Sequence, residues 1–134
     1  MPFGRMVYSK CMSSITSFKD LDCWKRAKSI QGQVFNLVKN WDWDRRFLKV
    51  QLLKAITSVT ANIAEGFGRY YYLENAKFCR IARASLFEII DHLESSVVFG
   101  WVKQDLKTSI EIDIMKTIQC INGYINYLTK KKSD

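Results

Sequence analysis

Apolar residues recur at every third or fourth position in four blocks of the 134-residue chain, the period of helices that bury one face. The first block predicts a helix from about Leu21 to Asn40, with Trp24, Ala27, Ile30, Val34 and Val38 on its stripe. The second, about Arg45 to Glu65, carries Leu48, Leu52, Ala55, Ile56, Val59 and Ile63. The third, about Leu73 to Phe99, carries Phe78, Ala82, Leu86, Ile89, Leu93 and Val97. The fourth, about Ser109 to Lys130, carries Ile110, Ile114, Thr117, Ile121, Ile125 and Leu128. No alternating stretch competes, and the one proline, Pro2, precedes all four blocks, so nothing breaks them from within.

The boundaries carry matching chemistry. Asp42 and Asp44 in Trp41-Asp42-Trp43-Asp44 suit the positive start of the second helix. Gly66 and Gly68 after the second block, and Gly100 after the third, stand where a left-handed residue would end a helix. Thr108-Ser109-Ile110-Glu111 matches a capping box that would open the fourth. Long helices with short connections predict an all-α, antiparallel up-down-up-down four-helix bundle over residues 18–129. Residues 1–17 read as a flexible N-terminal extension, within which Met12-Ser13-Ser14 would also serve as a start, and residues 130–134 as a basic tail.

Charge adds a function class. Lys and Arg number 21 against 13 Asp and Glu, a formal net charge of +8. The excess is concentrated: residues 1–83 hold 15 basic and 6 acidic groups, residues 84–129 hold 3 and 6. Such a field favours a polyanion such as RNA, DNA or an acidic protein surface, with ordinary solubility charge as the alternative. Projected at 100° per residue, Arg46, Lys49 and Lys54 spread over the arc opposite the second helix's apolar stripe, with Arg45 at its margin. The third helix places Lys77, Arg80 and Arg83 in its first half and Glu88, Asp91 and Glu94 in its second, against the macrodipole preference. Its basic half therefore suits a polyanion or an acidic face of a neighbouring subunit. These seven cations, Arg45, Arg46, Lys49, Lys54, Lys77, Arg80 and Arg83, are the candidate nucleic-acid contacts.

Catalytic readings find less support. Cys11, Cys23, Cys79 and Cys120 are far apart with no C-x-x-C pair, and Cys79 and Cys120 fall on apolar stripes as small hydrophobes. His92 is the sole histidine and reads as a surface residue, so metal ligation and a His-dependent nucleophile are not expected. Glu65 has no second acid nearby, and Gly66-Phe67-Gly68-Arg69 lacks the lysine of a nucleotide loop. Tyr70, Tyr71 and Tyr72 beside Arg69 suit either unpaired bases or a subunit interface. The sequence thus predicts no enzyme, no cofactor and no metal. With no apolar run approaching a membrane span and no apolar core in Met1–Met12, it predicts a soluble, cytoplasmic protein.

One stretch is more specific. Asp20-Leu21-Asp22-Cys23-Trp24-Lys25-Arg26-Ala27 resembles the D-L-x-V-W-x-x-A opening of the four-helix-bundle proteins encoded in intervening sequences of bacterial 23S rRNA genes. Gln51-Leu52-Leu53-Lys54-Ala55, then Ser58 to Gly66, Gly68 and Arg69, resemble that family's Q-L-x-R-A…S-I-P-x-N-I-A-E-G-x-G-R hallmark. Phe78, Ala82, Ser85, Leu86 and Glu88 resemble its F-x-x-x-A-x-G-S-L-x-E. Thr60 stands where the family has proline, Ala84 where it has glycine, and Trp41 to Asp44 replace a Phe-Pro turn. The resemblance implies a homopentameric ring and a fold shared with the accessory variability determinant proteins of diversity-generating retroelements, which bind a reverse transcriptase and nucleic acid. It carries over no catalytic residue; Trp24, Asn62, Glu65, Gly66, Gly68 and Arg69 match the hallmark as structural positions. The expectation is a non-enzymatic, basic, oligomeric binding protein whose partners are itself, a reverse transcriptase and RNA or DNA. The alternative is a protein-binding scaffold using exposed apolar residues such as Leu53, Phe87 and Ile112.

Overall fold

The computed structural model of the protein describes residues 14–131. Four helices, α1 (Asp22–Val38), α2 (Arg46–Phe67), α3 (Tyr72–Val98) and α4 (Gln104–Lys131), are accompanied by 3-10 turns at Phe18–Asp20 and Trp43–Arg45. No strand occurs among the described residues, so the fold is all-α. Cys11, Met12 and most of the extension, and residues 132–134 of the basic tail, lie outside the described residues.

The four stripes meet in one core. Each helix packs on its neighbours in sequence and α1 also packs on α4, while the backbones of the diagonal helices stay farther apart. The predicted stripe residues of α1, α2 and α4 are buried, Trp24 excepted, which is half-buried. Each fully buried Leu or Ile adds roughly 1.5–3 kcal/mol. On α3 the buried line runs through Cys79 and Ser96, with Phe78 and Val97 half-buried at its edge. Ser96 is tolerated because its hydroxyl donates to the His92 carbonyl at 2.9 Å. Ahead of α1, Ser17 and Asp20 cap the first 3-10 turn reciprocally, and Ile15 and Phe18 lie against the core. Backbone N–H groups of Thr16 and Ser17 hold the Asp20 carboxyl below its usual range.

Several local expectations need correction. α4 begins at Gln104, a turn earlier than its stripe suggested, so Thr108 and Ser109 are helical and not caps. Glu111 is turned toward Lys107 instead of the backbone. Gly66 lies inside α2 and Gly68 has φ −76°, so neither is left-handed; α2 closes with the Gly68 N–H shared between the carbonyls of Ala64 and Glu65 and the Arg69 N–H on the Gly66 carbonyl. Gly66 serves close packing instead: a Cβ there would lie 2.7 Å from Asn75 Oδ1 and 2.9 Å from Phe78 Cβ. Gly100 is left-handed as expected (φ 74°). The N–H of Gly100 bonds the Val97 carbonyl and that of Trp101 the Ser96 carbonyl, a Schellman stop. Asp42 precedes a 3-10 turn without a side-chain cap, and that turn leads into α2. His92 is half-buried against Glu88 at 3.1 Å instead of free on the surface. Cys120 is only half-buried, and its thiol together with burial pushes up the pKa of the fully buried Cys23. Leu53 is half-buried, whereas Phe87 and Ile112 are exposed.

Candidate nucleic-acid interface

The seven predicted cations fall on α2 and α3 and at the turn before α2. Arg46 and Lys54 are exposed, as the outer arc of an amphipathic helix requires; Arg45 and Lys49 are half-buried. The Arg45 guanidinium sits 5.8 Å from the Trp41 ring and 5.2 Å from the Trp101 ring, and that of Arg46 lies 5.2 Å from Trp43. Lys49 Nζ donates to the Lys39 carbonyl at 3.2 Å. On α3, Lys77 and Arg80 are exposed, and the half-buried Arg83 donates from Nη1 to Asn122 Oδ1 at 2.7 Å. Among the described residues, ion pairs join only Lys107 to Glu94 and Glu111, and the His92 imidazole lies against Glu88. None of the seven cations is therefore neutralised by a described carboxylate.

They do not form one patch. Ser85 Oγ donates to Ser58 Oγ at 3.1 Å, and Gly66 lies against Asn75 and Phe78. That register sets Arg80 level with the turn of α2 near Asn62. Phe47 meets Phe99 at a ring separation of 6.3 Å, so Arg45, Arg46 and Lys49 belong to the opposite end. Sixteen residues at 1.5 Å each put about 24 Å between the two groups along the bundle, with Lys54 between them.

Contacts of the hallmark residues are mostly internal. Asn62 Nδ2 donates to the Ser58 carbonyl at 2.8 Å and to its hydroxyl at 3.0 Å. Arg69 stacks over Phe78 at 4.8 Å. Trp24 meets Phe18 edge-on at 5.5 Å and carries Lys28 over its face. Glu65 and Gly68 are exposed, as are Tyr70, Tyr71 and Tyr72.

Two features escaped sequence reasoning. Lys107 is buried where α4 begins, held between Glu94 of α3 and Glu111 one turn on. Those two carboxylates, Glu111 first, raise its pKa above the usual lysine value. The signal was available, since Lys107 stands three residues before Ile110 and seven before Ile114 on the same stripe. The other is a ring cluster assembled by two connections, residues 39–45 and 99–103. Its members are more than 50 residues apart in sequence at their widest, from Trp41 to Trp101, so periodicity could not reveal it. Among the described residues no group of three or more His, Cys, Asp and Glu is placed to hold a metal ion, and no helix is long and apolar enough to cross a membrane.

Fold and surface together define a small all-α bundle protein with uncompensated cations on two helices. The family model described as 23S rRNA-intervening sequence protein matches residues 19–123. The chain belongs to that family. No curated protein matches the chain.

Proposed function

We propose that this protein is a non-enzymatic, basic module that binds RNA or DNA through phosphate contacts and acts as the accessory subunit of a diversity-generating retroelement, alongside its reverse transcriptase. The observation that carries the reading is the set of α2 and α3 cations with no described carboxylate partner. Unneutralised Lys and Arg displace counterions from a phosphate backbone without reading bases. An antiparallel bundle, supported by the register of Ser58 with Ser85 and of Gln33 with Asp113, presents these cations on its outside. A homopentameric, cytoplasmic ring would multiply the charge and convert weak contacts into avidity. Exposed Phe35, Phe87 and Ile112 offer apolar area for such assembly.

Fluorescence anisotropy with a structured RNA and a matched DNA duplex, titrated across salt, tests the reading. Binding whose logarithm falls steeply with log salt is expected, with a slope of about −0.9 per phosphate contacted. Lys77→Glu with Arg80→Glu should lower both affinity and slope. No binding at low salt would overturn the nucleic-acid role and leave a protein-binding scaffold. Light scattering should give a mass near five times the 15.7 kDa of one chain; a monomer would remove the ring.

A further inference from the structure

The bundle end formed by the two connections carries more aromatic surface than packing needs. Trp101 is its hub, with ring centroids at 5.6 Å to Trp41, 4.9 Å to Phe99 and 5.9 Å to Phe47. Arg45 fixes the inner pair by lying across both indoles. The outer rings are exposed, Trp43 by 80%, Phe47 by 59% and Phe99 by 49%, with the Arg46 guanidinium 5.2 Å from the Trp43 ring. Burying any one of them would have gained a few kcal/mol, so their exposure calls for an occupant. Residues 39–49 and 98–105 hold five cations (Lys39, Arg45, Arg46, Lys49, Lys103) against three carboxylates (Asp42, Asp44, Asp105). No described carboxylate pairs with any of the five.

Flat, open rings flanked by unpaired cations suit a ligand that is aromatic and anionic in alternation. We infer that this end binds unpaired nucleotides of a single strand, with Trp43, Phe47 and Phe99 as stacking platforms for bases and Arg46 on the backbone phosphate. A duplex keeps its bases stacked internally and would use only the cations, whereas every unpaired base offers a face to a ring. The inference rests on the nucleic-acid reading above and adds to it a preference for single strands.

The test compares a fluorescein-labelled uridine octamer with a blunt RNA hairpin whose fully paired stem is closed by a polyethylene glycol linker in place of loop nucleotides, using wild-type protein, Trp43→Ala and the Trp43→Ala/Phe99→Ala double variant. Trp43 is exposed enough for the single variant to fold; circular dichroism checks the double. Stacking predicts about a tenfold or greater loss of octamer affinity in the double variant, near-unchanged hairpin binding, and recovery by Trp43→Phe. Unchanged octamer binding, or equal loss on both probes, overturns the inference. So does a drop in oligomeric mass in Trp43→Ala, which would assign the rings to a subunit contact. Wild-type binding to the hairpin alone overturns the single-strand preference and leaves the phosphate reading intact. Binding of neither probe at low salt overturns both.

Discussion

Gly66 separates two physical effects that act in opposite directions at one position. Within a helix, Gly→Ala is ordinarily favourable by up to ~1 kcal/mol, because the unfolded chain loses freedom and Ala is the best helix former. Gly66 is the penultimate residue of α2, so its share of that gain is about half a kcal/mol. Against it stands contact. An added Cβ would meet Asn75 Oδ1 at 2.7 Å, Phe78 Cβ at 2.9 Å and the Asn75 carbonyl at 3.0 Å. Two of those atoms are Cβ or backbone of α3 and cannot swing aside, so α2 and α3 must part by several tenths of an ångström. Overpacking of this kind costs about 1–3 kcal/mol. Asn75 is also committed elsewhere: its Nδ2 donates to the Tyr124 hydroxyl at 2.9 Å and its Oδ1 accepts from Cys79 Sγ. Displacing it strains a buried polar link between α3 and α4, worth about another 1 kcal/mol.

The net expectation for Gly66→Ala is a loss of about 2–3 kcal/mol. Urea unfolding followed by far-ultraviolet circular dichroism, at one fixed protein concentration, should show the midpoint falling by about 1 M with an unchanged slope. Gly32→Ala is the control, since a Cβ at Gly32 meets nothing within 4 Å and the site is exposed on α1. It should gain up to about 1 kcal/mol from the same helical preference. A Gly66→Ala midpoint at or above wild type would refute the claim that this glycine is required by the approach of two helices.

Gly100→Ala should lose about 1 kcal/mol in the same assay, from its left-handed φ of 74° alone, because the space around it is open. Tyr124→Phe should lose about 1–2 kcal/mol by removing the hydroxyl that accepts from Asn75, and Asn75→Ala in that background should cost less than in wild type. Burial pushes the Cys79 thiol from 9.0 up to about 12 and raises the Tyr124 phenol. Groups with raised folded pKa values support the fold fully below their unfolded values and lose that support as pH climbs through the folded ones. Stability measured by thermal melts should therefore fall between about pH 9 and 12, and Cys79→Ala should flatten that decline; a decline as steep in the variant would assign it to other groups.

The hydrophobic period announced four helices because each buries a single stripe, and stripes such as Leu48 to Ile63 lie inside as read. Helix ends were less legible, since they depend on partners distant in sequence. Lys107 carries α4 back to Gln104 by joining Glu94 on another helix, which no local capping pattern records. Gly66 looked like a terminator because a sequence shows what glycine permits and not what stands beside it. Arg46 and Lys54 on the outer arc of α2 were legible as surface for the same reason that stripes were legible as core, whereas Lys49, read onto the same arc, is half-buried with its ammonium on the Lys39 carbonyl. The grouping of the cations was not legible, because it depends on the register between α2 and α3, set by contacts such as Ser58 with Ser85.

That register changes what the charge can do. At physiological salt the screening length is about 8 Å, so groups about 24 Å apart hardly feel each other. Arg45, Arg46 and Lys49 therefore form one electrostatic unit and Lys77, Arg80 and Arg83 another, bridged only by Lys54. A small anion would meet either unit without sensing the other. A polymer with charges repeating every few ångströms meets both at once, gaining the second contact without a second loss of translational freedom. The two units also differ in surroundings: the first stands among open rings, the second beside Asn122 on a helical face. On the proposed reading one end would take unpaired bases and the other phosphates, an asymmetry that a net charge of +8 does not convey.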